Sequence, residues 1–97
     1  MKIRILSLAV GDLQAGRDFY EYQQAGLGSY FLDTLYSDIE ALLLHAGIHA
    51  RHFGYLRSLS KRFPYAIYYQ INGDDIEIWR VLDCRQNPKR TTKALLG

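Results

Sequence analysis

The sequence predicts an α+β domain of order β-α-α-β-β-β, with a helical hairpin packed on one face of an antiparallel sheet that is mixed at its N-terminal strand. Three observations carry this reading. Apolar residues recur at three- and four-residue spacing from Phe31 to Ala46, the period of a helix that buries one face. Residues 63–82 alternate with period two on either side of Asn72-Gly73, the pattern of a tight β-hairpin. Only Gly26-Leu27-Gly28 interrupts the two helical segments, and so short a break makes them antiparallel neighbours.

Each element has its own signal. Ile3 and Ile5 alternate with Lys2 and Arg4, so residues 2–8 read as a short strand. Near Asp12 the period changes. Leu13, Gly16, Tyr20 and Leu27 then share one helical face, and Arg17, Asp18, Glu21 and Gln24 face water. Ser7 and Asp12 are both candidate caps for this first helix. Ser29 is the expected N-cap of the second, whose apolar face is Phe31, Leu35, Ile39, Leu42, Leu43 and Ala46, with Gly47 as the stop.

After the histidine-bearing link GIHARH, a strand is expected from Phe53 to Ser60. With Asn72-Gly73 as a two-residue turn, Tyr69 faces Ile76, Ile67 faces Ile78 and Phe63 faces Leu82. That face, which also carries Arg80, is expected to pack on the helices. The opposite face carries Ala66, Tyr68, Trp79 and Val81 and is apolar for a surface left to water. The tail KRTTKALLG, from about residue 89, is expected to be loosely held. Nothing in the chain is then left to cover the second face, so an intermolecular partner is expected there.

A chain of 97 residues points to a single domain over 1–97. Hydrophobic residues at 48% and charged residues at 23% place it among globular rather than disordered chains. One cysteine, Cys84, forms no internal disulfide, which fits a reducing cytosol. No apolar run approaches the roughly 20 residues of a membrane span. MKIRILSLAVGDL lacks a long apolar region with a cleavage site, so a cytoplasmic location and no membrane partner are expected. The net charge of +2 is compatible with an acidic partner or a nucleic acid but demands neither.

The stretch RSLSKRFPYAIYYQINGDDIEIWRVLDCRQNP resembles the signature of the RelE/ParE superfamily of type II toxins: a basic strand, a Phe-Pro-Tyr strand, and a last strand ending in a polar turn with arginine. The order of elements agrees from about Ile3 to Pro88. The resemblance implies a small bacterial toxin whose cognate antitoxin wraps it, which would cover the second face. It leaves homo- or hetero-oligomers open, and it implies no cofactor.

Two activities belong to that superfamily. RelE-like members cut mRNA in the ribosome, with cations for the phosphate and acid/base residues near the C-terminus. ParE-like members bind and poison DNA gyrase. RNA cleavage by 2′-OH attack needs a base, an acid and cations for the developing charge. Arg85 matches the arginine that follows the last strand of the nucleases. Ala66 stands where those nucleases favour an arginine, and Gln86, Asn87, Pro88, Lys89 and Arg90 supply no tyrosine, histidine or carboxylate. The ParE-like reading follows, with a gyrase inhibitor as the expected function. A ribosome-dependent endoribonuclease using Arg85, or a non-toxic interaction module, are the alternatives.

The residues expected to bind the target are Lys61, Arg62, Tyr65, Arg80 and Arg85. Those expected to meet the antitoxin are Arg57, Tyr68, Trp79 and Val81. Each also has a plainer role: Arg85 as a solvated strand end, Lys61 and Arg62 as edge charges against sheet-to-sheet pairing, Trp79 as sheet packing. His45, His49 and His52 straddle a helix end with no cysteine or carboxylate beside them in sequence, so no metal is expected. Cys84 has no clear histidine partner and is not expected to be a nucleophile.

Overall fold

A computed structural model describes residues 1–97. Strand β1 (Lys2–Ile5) leads into helix α1 (Ser7–Gln23), which is followed by α2 (Leu27–Glu40) and a single turn, α3 (Leu42–His45). Four strands follow, β2 (Arg51–His52), β3 (Tyr55–Leu59), β4 (Tyr65–Asn72) and β5 (Asp75–Asp83), and helix α4 (Pro88–Leu96) ends the chain. The sheet order is β1-β5-β4-β3-β2, antiparallel throughout except for the parallel pair β1 and β5.

The helical hairpin forms as its period predicts. Leu13, Gly16 and Tyr20 of α1, and Phe31, Leu35 and Ile39 of α2, are buried against the sheet. The caps differ from expectation. Neither Ser7 nor Asp12 caps α1, whose N-cap is Leu6 with no side-chain bond. The N-cap of α2 is Gly26 at φ 87°, not Ser29. Its free amides are satisfied from α1: Glu21 accepts from the backbone N–H of Gly26 at 3.0 Å and of Gly28 at 2.9 Å. These two bonds hold the Glu21 carboxyl below its ordinary pKa. Gly28 is also the point of close approach, since a Cβ there would sit 2.6 Å from the Arg17 carbonyl oxygen. The second helix breaks at Ala41 instead of running to Gly47, and Leu43 is 49% exposed rather than part of the buried face.

The strand expected over Phe53–Ser60 is a small hairpin and a longer strand. Phe53 at φ 57° and Gly54 at φ 85° form the turn between β2 and β3, because two consecutive positive φ values match the twist of the flanking strands.

The main hairpin turns one residue later than expected. Asn72 pairs with Asp75, so the turn is Gly73-Asp74, with the positive φ of 62° at its first position, where glycine carries it without strain. The shift is even, so Ile76 and Ile78 keep the helix-facing side, opposite Ile71 and Tyr69. An irregularity between Tyr68 and Tyr69 then leaves Trp79 as the extra residue of a bulge. Beyond the bulge the parity inverts. Val81, opposite Ile67, joins the core under the helices, and Arg80 and Leu82 turn to the other face, opposite Tyr68 and Ala66.

The tail is not loose. Asn87 caps α4 by accepting from the Lys89 amide at 2.9 Å, and Pro88 occupies the first turn, where its missing N–H costs nothing. Leu95 is buried on Ala66, Tyr68 and Leu82, with Ala94 and Tyr55 beside them. The second sheet face thus has an internal cover over part of its length, which overturns the expectation that nothing in the chain reaches it. Arg80 ties this cover down. Its guanidinium holds both oxygens of Asp12 on α1, at 2.7 and 2.8 Å, and donates to the Ala94 carbonyl of α4 at 3.3 Å.

The link after α3 is fastened to the sheet by Tyr69. Its hydroxyl accepts from the Gly47 amide and meets Nδ1 of His49, so the hydroxyl proton goes to an unprotonated Nδ1. Burial, and then the nearby His45, lower the His49 pKa from 6.5. The unfolded chain therefore takes up this proton first. The His49 contribution is complete above the ordinary imidazole value and is lost as the pH falls through it toward the depressed folded value. Urea midpoints measured from pH 8 to pH 5 are expected to fall with acidification, and His49→Gln is expected to flatten that slope. An unchanged slope in the variant would remove His49 as a source of it.

Candidate functional site

The site is assembled at the end of β5 and the loop between β3 and β4. Asp83 ends β5 and Arg85 follows two residues later, close enough for the arginine to fold back. The Arg85 amide donates to Asp83 Oδ1 at 2.8 Å, its Nε to the same oxygen at 3.1 Å, and its Nη2 to Oδ2 at 2.9 Å. The guanidinium also donates to the Tyr20 hydroxyl at 3.2 Å, which links it to α1. Burial opposes ionisation of Asp83, but the Arg85 bonds outweigh it and the carboxyl lies below its usual range. The same pair holds the Arg85 guanidinium deeper in its charged form.

Arg62 is the second cation. It donates to the Tyr30 hydroxyl at 2.7 Å and lies 5.9 Å over that ring. An aromatic strip joins the two arginines. Phe63 packs on Tyr30, Phe31 and Tyr20 with ring centroids 5.7, 5.1 and 4.9 Å apart. Lys61 is exposed beside them, its amide held at 3.4 Å by Asp38 of α2. Arg62 and Arg85 thus stand at two ends of one aromatic surface, positioned by α1 and α2.

Tyr65 lies beneath this surface. It is 7% exposed, and burial, then the Asp83 charge, push its pKa up to about 12. Arg80 is not with the other cations, because the bulge commits its side chain to Asp12, where it is only 20% exposed. Of the residues expected to meet a target, Lys61, Arg62 and Arg85 are therefore exposed, Tyr65 supports them from below, and Arg80 belongs to the internal framework. Sequence reasoning missed Tyr20, Tyr30, Phe63 and Asp83. Only Asp83 had a local signal, its spacing of two from Arg85 across the strand end.

The residues expected to meet the antitoxin are also divided. Val81 is 1% exposed in the core under the helices, not on the second face. Tyr68 is 4% exposed beneath α4. Trp79 and Arg57 are half-buried and remain at the surface. The Trp79 ring packs 5.9 Å from Tyr55, and its buried Nε1 has no acceptor. Burial raises the Cys84 pKa, which disfavours the thiolate a nucleophile requires. His45, His49 and His52 line one groove with no metal-holding cluster. No helix is long and apolar enough to cross a membrane.

The comparisons with known proteins agree with this arrangement. The family described as the ParE toxin of the type II toxin-antitoxin system, parDE, matches residues 3–88. A solved structure of the chromosomal ParDE TA system from P. aeruginosa superposes with a TM-score of 0.71 at 20% identity, covering 84% of this chain and 92% of that one. At that identity the likeness speaks for the fold. No curated protein matches the chain. The family match spans nearly every element from β1 to the first residue of α4, and the chain belongs to the ParE family of type II toxin-antitoxin toxins.

Proposed function

We propose that this toxin inhibits DNA gyrase by binding it through the Arg62–Arg85 surface, and that a cognate antitoxin neutralises it. The observation that carries binding over RNA cleavage is the condition of the groups around Arg85. A general base works best with a pKa near the operating pH. Tyr65 is pushed far above that range and Asp83 is held below it, with both oxygens already bonded to Arg85. What the surface presents is charge and aromatic area, which suits recognition. The antitoxin contacts are assigned to Trp79 and Arg57, the two surface residues of the second face, beside the part that α4 leaves open. A cytoplasmic location follows from such a target.

Purified chain is expected to abolish supercoiling by gyrase and to leave cleaved DNA. Arg85→Ala is expected to weaken that inhibition at least about tenfold, the loss of one good charged contact. It should change stability by no more than about 1 kcal/mol, because the Arg85 side chain is 55% exposed and its ion pair lies at the surface. A folded Arg85→Ala protein that inhibits as strongly as the parent would remove Arg85 from the interface. Intact gyrase activity together with cut mRNA in a translation reaction would move the assignment to the ribosome. Both left intact would make the chain an interaction module.

A further inference from the structure

A groove of about 550 Å³ opens between the C-terminal end of α2 and the outer side of β3, away from the Arg85 end of the sheet. Its floor is apolar. Leu42 closes it from the core, and Ile48 and Leu59 lie along it at 76% and 57% exposure. Its rim is basic. Arg57 and Lys61 line it, and neither is in an ion pair. The one carboxylate in the lining, Asp38, is already occupied by the Ser60 hydroxyl at 2.6 Å.

One wall of the groove is an open sheet edge. Strand β2 pairs only with Tyr55 and Leu56, and its last ladder bond runs from the Arg57 amide to the Ala50 carbonyl at 3.1 Å. Beyond that point β3 has no outer neighbour. The Ser60 amide donates inward to the Tyr65 carbonyl at 2.9 Å. Antiparallel strands alternate the direction of their backbone groups, so the N–H and C=O of Leu59 point outward, into the groove. An unpaired donor and acceptor, apolar side chains and uncompensated cations thus share one wall and floor.

We propose that this groove seats an extended, acidic segment of the antitoxin, which adds to the sheet as a sixth strand beside the free end of β3. Main-chain bonds to Leu59 would supply register, alternate apolar side chains would fill the floor, and carboxylates would meet Arg57 and Lys61. A nucleic acid fits less well, since it would leave the Ile48–Leu59 floor without an apolar partner. The proposal rests on the chain being a toxin with a protein neutraliser.

The test uses the full chain and a synthetic peptide of about eight residues that alternates glutamate with leucine, titrated by calorimetry and followed by amide exchange. The peptide is expected to bind and to slow exchange at the Leu59 amide. Lys61→Glu and Arg57→Glu are each expected to weaken binding about tenfold, as is lysine in place of the peptide's glutamates. No binding, binding without protection at Leu59, or equal binding by the lysine peptide overturns the proposal. Single-stranded RNA that protects Leu59 in the peptide's place does so too. The gyrase assay is a separate readout. A chain that poisons gyrase but ignores the peptide refutes the groove alone, and a chain that binds the peptide but spares gyrase refutes the target alone.

Discussion

Phe31→Ala is expected to destabilise the chain by about 3–5 kcal/mol, the cost of emptying a large, fully enclosed aromatic site. Phe31 has no exposed surface and stands where four elements meet. Its ring stacks on Tyr20 at 5.2 Å and meets Phe63 and Tyr65 edge-on at 5.1 and 4.9 Å. The site cannot collapse cheaply, because its neighbours are rigid rings held from α1, β4 and the loop before it. Stabilities of domains of this size are about 5–15 kcal/mol, so the variant would sit near the edge of folding. The functional consequence is local as well. Tyr20 and Phe63 form the surface between Arg62 and Arg85, so gyrase inhibition should fall even under conditions where the variant is folded. A urea midpoint change equivalent to less than about 1.5 kcal/mol would show that the cluster repacks, and that it is not the keystone described here.

Asp12→Ala is expected to cost about 3 kcal/mol, although Asp12 lies on a helix where a polar residue would ordinarily be replaceable. Three donors converge on its carboxylate: Arg80 through Nε and Nη2, and the Val81 amide at 3.0 Å. Arg80 and Asp12 side chains are 20% and 14% exposed, so water replaces the lost partner poorly. Removing one member of such a pair leaves a charge and a backbone donor uncompensated, which is worse than removing both. The double variant Asp12→Ala with Arg80→Met should therefore be more stable than Asp12→Ala alone. Arg80 also holds the Ala94 carbonyl, so amide exchange in α4 should speed up in the single variant. Additive losses in the double variant, with α4 exchange unchanged, would contradict a coupled network.

These two residues illustrate where sequence reasoning succeeds and where it stops. Phe31 was legible as a core residue because its position repeats at Leu35 and Ile39, and a helical period reports burial directly. Asp12 was read as a cap because a lone aspartate near a change of period has that local meaning. Its partner Arg80 is 68 residues away, and no spacing rule connects them. The hairpin shows the same division within one element. Alternation up to Ile78 predicted the buried face correctly, even with the turn displaced by a residue. The bulge at Trp79 then exchanged the roles of Arg80 and Val81, which moved one from the expected target surface to the framework and the other from the partner face to the core. A bulge adds one residue to one strand and leaves the composition of both faces unchanged, so an alternating pattern does not announce it.

The sequence by itself determined the α+β class, the helical hairpin, the parity of the first part of each long strand, and the superfamily. All of these depend on order and periodicity within short windows, where local geometry dictates which side chains share a face. Only the tertiary structure decided that α4 covers part of the second face, that Arg80 is internal, that Tyr20 and Asp83 hold Arg85, and that the edge of β3 is open. Each depends on which distant segments meet. Burial, pairing and pKa arise from those meetings, and the chain order does not contain them.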